Sequence, residues 1–359
     1  MTAPTSQRSS ERRYRAGVLG GSGFAGAELV RRLLYHPHVE LVRVCAADHV
    51  GEPIGAALPH LEGLTNLVFE NPPPQKAVEG LDIVLMGLPH GASIEIVEQV
   101  ANTDVRVIDM SGAFRLKDLA AYERFYGGPH ARPALLERFV YGLPELERER
   151  IQNARFVSSP GCFATSIELA LLPFARAGLL TGNVEVVGVT GSSGSGVTPS
   201  PTTHHPTRAV NLRTYRPLAH QHAPEIEAAL TSAGATQLRL NFVPVSAPLA
   251  RGIFATAFFR VPASVSPETL AKLPREAYAK ERFVRVPQNR LPEVVAVAGS
   301  NYAEVGVVVA PEQDGTRLVT AFAALDNLVK GGAGQAIQNM NLMLGVPEAT
   351  GLEDPGGYP

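Results

Sequence analysis

The segment Ser158-Ser159-Pro160-Gly161-Cys162-Phe163-Ala164-Thr165 sets a thiol at the start of an apolar stretch with helical spacing, Ile167, Leu169, Ala170, Leu171 and Leu172. A cysteine at a helix N-terminus feels the partial positive charge of the free N–H groups there. That charge favours the thiolate and lowers its pKa. Pro160-Gly161 makes a turn able to aim the sulfur into a cleft. The competing reading is a small buried hydrophobe, which most free cysteines are. Cys45, inside a strand-like run, fits that reading. A cysteine nucleophile needs a base or proton donor, usually histidine. His220-Gln221-His222 follows a polar loop and precedes Ala223-Pro224-Glu225-Ile226, a Pro-started helix, so both imidazoles can face a pocket. Metal binding by His204, His205, His220 and His222 is the rival. No cysteine or carboxylate cluster at ligand spacing accompanies them, so no metal is expected.

A second chemistry-bearing pattern is Gly20-x-x-Gly23-x-x-Gly26, between a predicted strand and a predicted helix. Glycines there permit a tight turn and close backbone approach, and the helix start offers free N–H groups to a pyrophosphate. The residue that reads the ribose normally ends the second strand, where a carboxylate suits the 2′-OH of NAD and an Arg or Lys the 2′-phosphate of NADP. Here that stretch is Cys45-Ala46-Ala47-Asp48-His49, which taken alone favours NAD or weak discrimination. Gly191-Ser192-Ser193-Gly194-Ser195-Gly196 is a backbone-rich loop suited to phosphate or nicotinamide contact. Arg115 and Arg251 sit beside apolar or turn residues and need an anion, either a substrate carboxylate or phosphate or a structural Asp or Glu.

These residues need elements to hold them. Residues 16–19, 39–44, 83–86 and 105–108 read as buried strands. They alternate with a helix carrying Leu29, Val30, Leu33 and Leu34 on one face and Arg31 and Arg32 on the other, and with a helix over 93–101 capped by Ser93. Such alternation predicts a parallel sheet covered on both faces. Past residue 155 a helix (165–177) and a strand (184–190) lead into a polar stretch, 191–221, too long for filler. Strands over 238–245, 253–261, 305–310 and 318–324 predict a mixed or antiparallel sheet with few helices, and a helix over 326–344 ends the fold. The 359 residues allow two domains. A net charge of −2 suggests no nucleic-acid or anionic-lipid surface, and two cysteines make no disulfide framework. No run approaches the length of a membrane span. Residues 1–14 read as a disordered tail without the apolar core of a secretory signal, which implies a cytoplasmic protein.

Seven motifs in this order resemble the N-acetyl-γ-glutamyl-phosphate reductases of arginine biosynthesis: Gly-Gly-Ser-Gly-Phe-Ala-Gly (20–26), Leu-Pro-His-Gly (88–91), Ser-Gly-Ala-Phe-Arg-Leu (111–116), Tyr-Gly-Leu-Pro-Glu (141–145), Pro-Gly-Cys-Phe-Ala-Thr (160–165), His-Gln-His-Ala-Pro-Glu-Ile (220–226) and Asp-Asn-Leu-Val-Lys-Gly (326–331). The resemblance implies an α/β chain: a Rossmann-type dinucleotide-binding domain over 15–160, completed by a C-terminal helix over 325–345. It also implies an α+β catalytic and oligomerisation domain over 161–324, resembling that of semialdehyde and glyceraldehyde-phosphate dehydrogenases. It makes Cys162 the nucleophile, with His220 favoured over His222 as acid/base, and places Arg115, Arg251, Ser159 and His204 on the substrate side. Gly20, Ser22, Gly23, Phe24, Ala25, Gly26, Ala46, Gly191, Ser192, Gly194 and Asn327 fall on the cofactor side. The implied reaction is NADPH-dependent reduction of an acyl phosphate through a thioester, with NAD possible, in a homodimer or homotetramer. Two departures matter. Ala46-Ala47 stands where the family often has Ser-Arg, which weakens strict NADP preference. Val197-Thr198-Pro199 stands where the family commonly has Arg-Lys. With Thr203-His204-His205-Pro206, this second departure resembles a sister group that reduces an aminoadipyl phosphate attached to a small acidic carrier protein. Arg208, Arg213 and Arg216 would offer such a carrier a basic patch, or form an ordinary solvated face.

Overall fold

The computed structural model describes residues 13–357. Most of the predicted tail therefore lies outside the described residues. Arg13 and Tyr14 do not belong to a tail: Arg13 donates to the His36 carbonyl at 2.6 Å, and Tyr14 opens the first strand.

Seven strands form the first sheet: β1 (Tyr14–Leu19), β2 (Val39–Cys45), β3 (Phe69–Glu70), β4 (Ile83–Met86), β5 (Arg106–Asp109), β6 (Phe139–Tyr141) and β7 (Phe156–Ser158). All pair in parallel, in the order β3-β2-β1-β4-β5-β7-β6. Ile83, Val84, Leu85 and Met86 are wholly buried, as a strand covered on both faces requires. The chain runs outward in opposite directions from β1 and β4, so a crevice opens beyond their carboxyl ends. The glycine loop leaves β1 at that crevice.

The second sheet is mixed: β8 (Thr181–Thr190), β9 (Arg213–Thr214), β10 (Thr236–Ser246), β11 (Ile253–Pro262), β12 (Val284–Arg285), β13 (Ala303–Gln313) and β14 (Thr316–Leu325), in the order β12-β13-β14-β11-β8-β10-β9. Burial alternates along β8, β10 and β11, the mark of a sheet with one face on the core. Helices Cys162–Arg176, Ala223–Ser232 and Pro267–Ala277 cover that face. Phe163, Phe174, Phe242 and Phe259 interlock beneath them, with edge-on ring pairs. Among the described residues no helix is long and apolar enough to cross a membrane.

Three local expectations change. Ser93 does not cap its helix, which starts at His90 behind Pro89; buried in the first turn, Ser93 donates to Asp109 Oδ1 at 2.6 Å. The closing helix starts at Gly334 rather than 326. Asp326 Oδ1 accepts the Leu328 and Val329 N–H groups at 2.8 and 3.0 Å, and a π-turn over Val329–Ala333 follows. Arg32, placed on the solvent face by its period, is buried against Glu28 at 2.8 Å. The π-turn delivers Lys330 into the interior. There Nζ donates to Glu145 Oε1 at 2.7 Å and Gln338 Oε1 at 2.9 Å, with neither charged residue touching solvent.

Breaking such a pair strands one buried charge, at a cost of about 3–5 kcal/mol. Lys330→Ala is expected to lower unfolding stability by that order in a chemical denaturation series. Lys330→Met combined with Glu145→Leu should recover much of it, and a single variant as stable as the parent would contradict the buried pairing.

Candidate active site

The carboxyl ends of the first sheet and of strands β8 and β10 face one cleft of about 930 Å³. Its first-sheet wall is the glycine loop. Gly20 has φ +87°, and a Cβ there would stand 2.4 Å from the Gly87 carbonyl oxygen, so only glycine makes the turn. Gly23 is the N-cap of helix Phe24–Leu33 and brings no side chain to it, leaving that helix start's N–H groups free for an anion. Gly23, Phe24, Ala25 and Gly26 all line the cleft. This wall fits a dinucleotide pyrophosphate. Opposite stands the 191–196 loop, tied to β11 by Asn327. Asn327 Oδ1 accepts the Gly252 N–H at 2.7 Å while its Nδ2 donates to Ser193 Oγ at 2.9 Å.

Between these walls Cys162 begins helix Cys162–Arg176, half-buried, with Gly161 as N-cap. A side chain at 161 is impossible without rearrangement, because its Cβ would lie 2.2 Å from His222 Nε2. The sequence argument expected a lowered thiol pKa. Burial instead pushes Cys162 up to about 11, outweighing the opposing pull of Arg115 and of local N–H groups. The histidines answer in kind. Burial, then each other's proximity and Arg216, take His220 down to about 3, and burial with Arg115 and His90 takes His222 well below its ordinary value. The resting site therefore holds a neutral thiol beside two neutral imidazoles.

Their tautomers are distinguishable. His220 Nδ1 accepts the His222 backbone N–H at 3.2 Å. Neutral His220 thus carries its proton on Nε2, the nitrogen left to face the cleft. His222 Nδ1 is buried without a hydrogen-bond partner, so its lone pair or proton stays uncommitted.

Beneath the thiol lies a polar knot. Glu225, first carboxylate of the helix after the His-x-His motif, accepts the Gly161 N–H at 2.8 Å on Oε1. Tyr141 Oη stands 2.8 Å from that same oxygen and 2.7 Å from Glu168 Oε1. A phenol has one proton to give, so one of the two carboxyls must itself donate. Burial and the neighbouring Glu225 push Glu168 well above the ordinary carboxylate range. Glu168 is therefore the protonated acid, and Tyr141 passes its own proton toward Glu225. Glu225 Oε2 lies 3.5 Å from Arg115 Nη1, while Arg115 Nε and Nη2 donate to the Ser159 and Met110 carbonyls at 2.7 Å each.

Of the residues singled out by sequence, Arg115, Ser159, Cys162, Gly191, Gly194, His220, His222 and Asn327 line the cleft together with the glycine-loop wall. Six do not. Gly20 shapes the loop from beneath. Ser22 donates to Asp48 Oδ1 at 2.6 Å, Ala46 is buried behind the loop, Ser192 is held by the Leu249 carbonyl, and His204 is exposed. Arg251 is the main correction. It sits at the junction of the two sheets, 3.0 Å from Asp326 Oδ2 and 3.4 Å from Glu28 Oε2, so its anion is structural. Burial would raise Glu28, but Arg31, Arg32 and Arg251 offset this and hold it below its usual range. Glu168 and Tyr215 carried no signal in the sequence, and Ser193 and Tyr141 stood inside a marked loop and motif without a role of their own. Sequence reasoning missed the role of His90, whose Nδ1 accepts the Gly112 N–H at 2.8 Å on the cleft wall. Leu-Pro-His-Gly was visible as a motif, and nothing in its spacing showed which way the ring turns. Among the described residues no three His, Cys, Asp or Glu side chains come together to hold a metal ion.

Residues 15–154 match the family model for the semialdehyde dehydrogenase NAD binding domain, and 162–327 that for the semialdehyde dehydrogenase dimerisation domain. An N-acetyl-gamma-glutamyl-phosphate reductase of Symbiobacterium thermophilum is 42% identical, covering 95% of this chain and 98% of its own. A protein of Thermomicrobium roseum named as a LysW-L-2-aminoadipate 6-phosphate reductase is 41% identical over the same shares. Aspartate semialdehyde dehydrogenase II of Vibrio cholerae superposes with a TM-score of 0.69 at 15% identity, over 93% of this chain and 99% of that one, a likeness of fold.

Two outcomes are expected. Alkylation of Cys162 by iodoacetamide in the unliganded protein should keep accelerating up to and beyond pH 9, because a raised pKa leaves the thiol protonated below it. A plateau reached by pH 7 would show that the helix start wins over burial. Separately, Glu168→Gln mimics a carboxylic acid and should keep activity within about fivefold. Glu225→Gln removes the anion facing Arg115 and puts an N–H donor where one acceptor oxygen stood, and should cost about a hundredfold in kcat, the scale of small misplacements in an active site. Equal losses in the two variants would disprove the protonation assignment.

Proposed function

Starting from a chain that belongs to the family of N-acetyl-γ-glutamyl-phosphate reductases and their carrier-linked aminoadipyl-phosphate relatives, we propose that it reduces N-acetyl-γ-glutamyl phosphate to N-acetylglutamate semialdehyde, a step of arginine synthesis. The observation that carries the reading is Cys162 at a helix start, facing a dinucleotide wall across one cleft. The sulfur bonds to the acyl carbon as the carbon–oxygen bond to phosphate breaks, and phosphate departs with that electron pair. A reduced nicotinamide, when bound, supplies the hydride that turns the thioester into a thiohemiacetal. The carbon–sulfur bond then breaks and releases the aldehyde. His222, with Nδ1 uncommitted, takes the thiol proton, while the Nε2–H of His220 is the donor turned toward the carbonyl oxygen. In this reading His220, whose Nδ1 is occupied, serves as the acid and His222 as the base.

The cofactor wall favours NADH or weak discrimination between NADH and NADPH. Arg43 is spent on the Lys76, Ala77 and Glu79 carbonyls. Asp48 stands beside the glycine loop, where a carboxylate suits a 2′-OH. A dimer or tetramer built on the outer face of the second sheet fits its exposed Val187 and Val308. The carrier-linked substrate is the second reading. Val197 is exposed on the cleft with Arg213 and Arg216, and Val210, Leu212 and Leu218 are exposed in the segment that carries those arginines, a surface suited to a small acidic protein.

The test is phosphate-dependent oxidation of N-acetylglutamate semialdehyde with NADP and NAD side by side. Cys162→Ser should abolish turnover while leaving dinucleotide binding intact, and a variant near the parental rate would end the thioester scheme. Comparing free N-acetylglutamyl phosphate with carrier-linked aminoadipyl phosphate separates the two readings of the substrate.

A further inference from the structure

The cleft contains two deeply placed guanidiniums, and their circumstances differ. Arg115 is satisfied by the protein itself, with two carbonyls and Glu225 around it. Arg208 is not. It sits on the short turn His205–Arg208 and is only 8% exposed. Its Nη2 donates to the Thr190 carbonyl at 3.1 Å, and its Nε is buried without a partner. Among the described residues no carboxylate pairs with it; the charged side chain bearing on it is Arg213, of like sign. Burial and Arg213 both press against its charge. A guanidinium in that position is costly until an anion joins it. Tyr215 feels the charges of both Cys162 and Arg208. Arg208, Tyr215 and Cys162 all line the same cleft.

We propose that Arg208 is the oxyanion subsite of this cleft, its uncommitted Nη hydrogens forming a fork for a carboxylate or phosphate of the bound substrate. The residue that fits a substrate anion is thus this arginine in the polar loop, and Arg251 serves the fold. Which oxyanion it takes, the far carboxylate of an acyl chain or the leaving phosphate, rests on the acyl-phosphate reading above. That it takes one does not. Arg213 and Arg216, both exposed, add attraction at the mouth without a built geometry.

Protection of Cys162 against iodoacetamide tests this without turnover. On the full chain, half-protecting concentrations are measured for inorganic phosphate and, separately, for N-acetylglutamate as a carboxylate-bearing probe. Arg208→Gln is expected to raise at least one of them about tenfold or more while the unprotected alkylation rate stays within about twofold. Arg208→Lys, which keeps the charge and loses the fork, should give a smaller rise and covers the case in which the glutamine variant folds poorly. A rise for phosphate alone identifies the leaving-group end, and a rise for N-acetylglutamate alone the carboxylate end. No protection of the parent by either anion overturns the subsite. So does protection unchanged in both variants, or an equal loss in Arg213→Gln. Normal protection behaviour without turnover of any acyl phosphate would instead sink the proposed reaction and leave the anion site standing.

Discussion

The Glu225 carboxylate, buried under Cys162, touches three segments of chain that have no reason to meet otherwise. It accepts the Gly161 N–H in the turn before the nucleophile and the Tyr141 hydroxyl from the edge of the first sheet. It also faces Arg115 from the segment after β5. Each contact satisfies a group that would be expensive to bury alone. Together they fix the direction of the sulfur, because the helix carrying it can start only where the Gly161 turn is held. Glu168 contributes by being neutral. A second buried negative charge 2.7 Å from the tyrosine would leave that hydroxyl one proton short. Arg115 then balances one carboxylate rather than two.

The same burial that locks the knot sets the chemistry's starting point. Cys162 is a thiol and both histidines are neutral when the cleft has no charge of its own to offer. The helix dipole contributes only about 0.5 of an elementary charge at its end, and loss of hydration around a buried sulfur exceeds it. A site built this way stays unreactive toward stray electrophiles. It is activated by what binds: an anionic substrate makes it easier for an imidazole to take up the proton the sulfur loses.

Much of this was legible in the residues. Periodicity located the buried strands β1, β2, β4 and β5 and both long strands flanking Gly252, because strands covered on two faces or one leave plain patterns. The turn chemistry of Pro160-Gly161 and the glycine loop marked the two places where backbone geometry serves function. Partner identity was illegible. Arg115 and Arg251 look alike in sequence, each beside small or apolar neighbours, and only the fold shows one against the nucleophile's knot and the other against Glu28 and Asp326. Arg208 reads in sequence as part of a carrier-binding basic patch or of a solvated face, since a helical turn of four residues gives no period from which burial can be inferred. The helix Pro267–Ala277 was also overlooked, although Ser266 before Pro267 is a cap signal and its Oγ accepts the Thr269 N–H.

The dinucleotide wall hangs from the first sheet and the thiol's helix packs on the second, so the distance between donor and acceptor is a property of the junction. That junction joins an apolar seam, in which Phe283, Val297, Tyr302 and Ala324 share a core with Leu29 and Val30, to buried ion networks. Arg251 reaches from the second sheet to Glu28 on the first helix and to Asp326, and Lys330 crosses to Glu145. A hydrophobic interface tolerates sliding by an ångström at little cost, since apolar contact is non-directional. Buried charges joined by hydrogen bonds do not, because any slip leaves an unsatisfied charge in low dielectric. The π-turn at Val329–Ala333 belongs to the same logic: it gives up helical regularity over five residues to bring Lys330 inward. What the junction loses in local helix stability it returns as a fixed register between the cofactor wall and the Cys162 sulfur, which hydride transfer to a thioester requires.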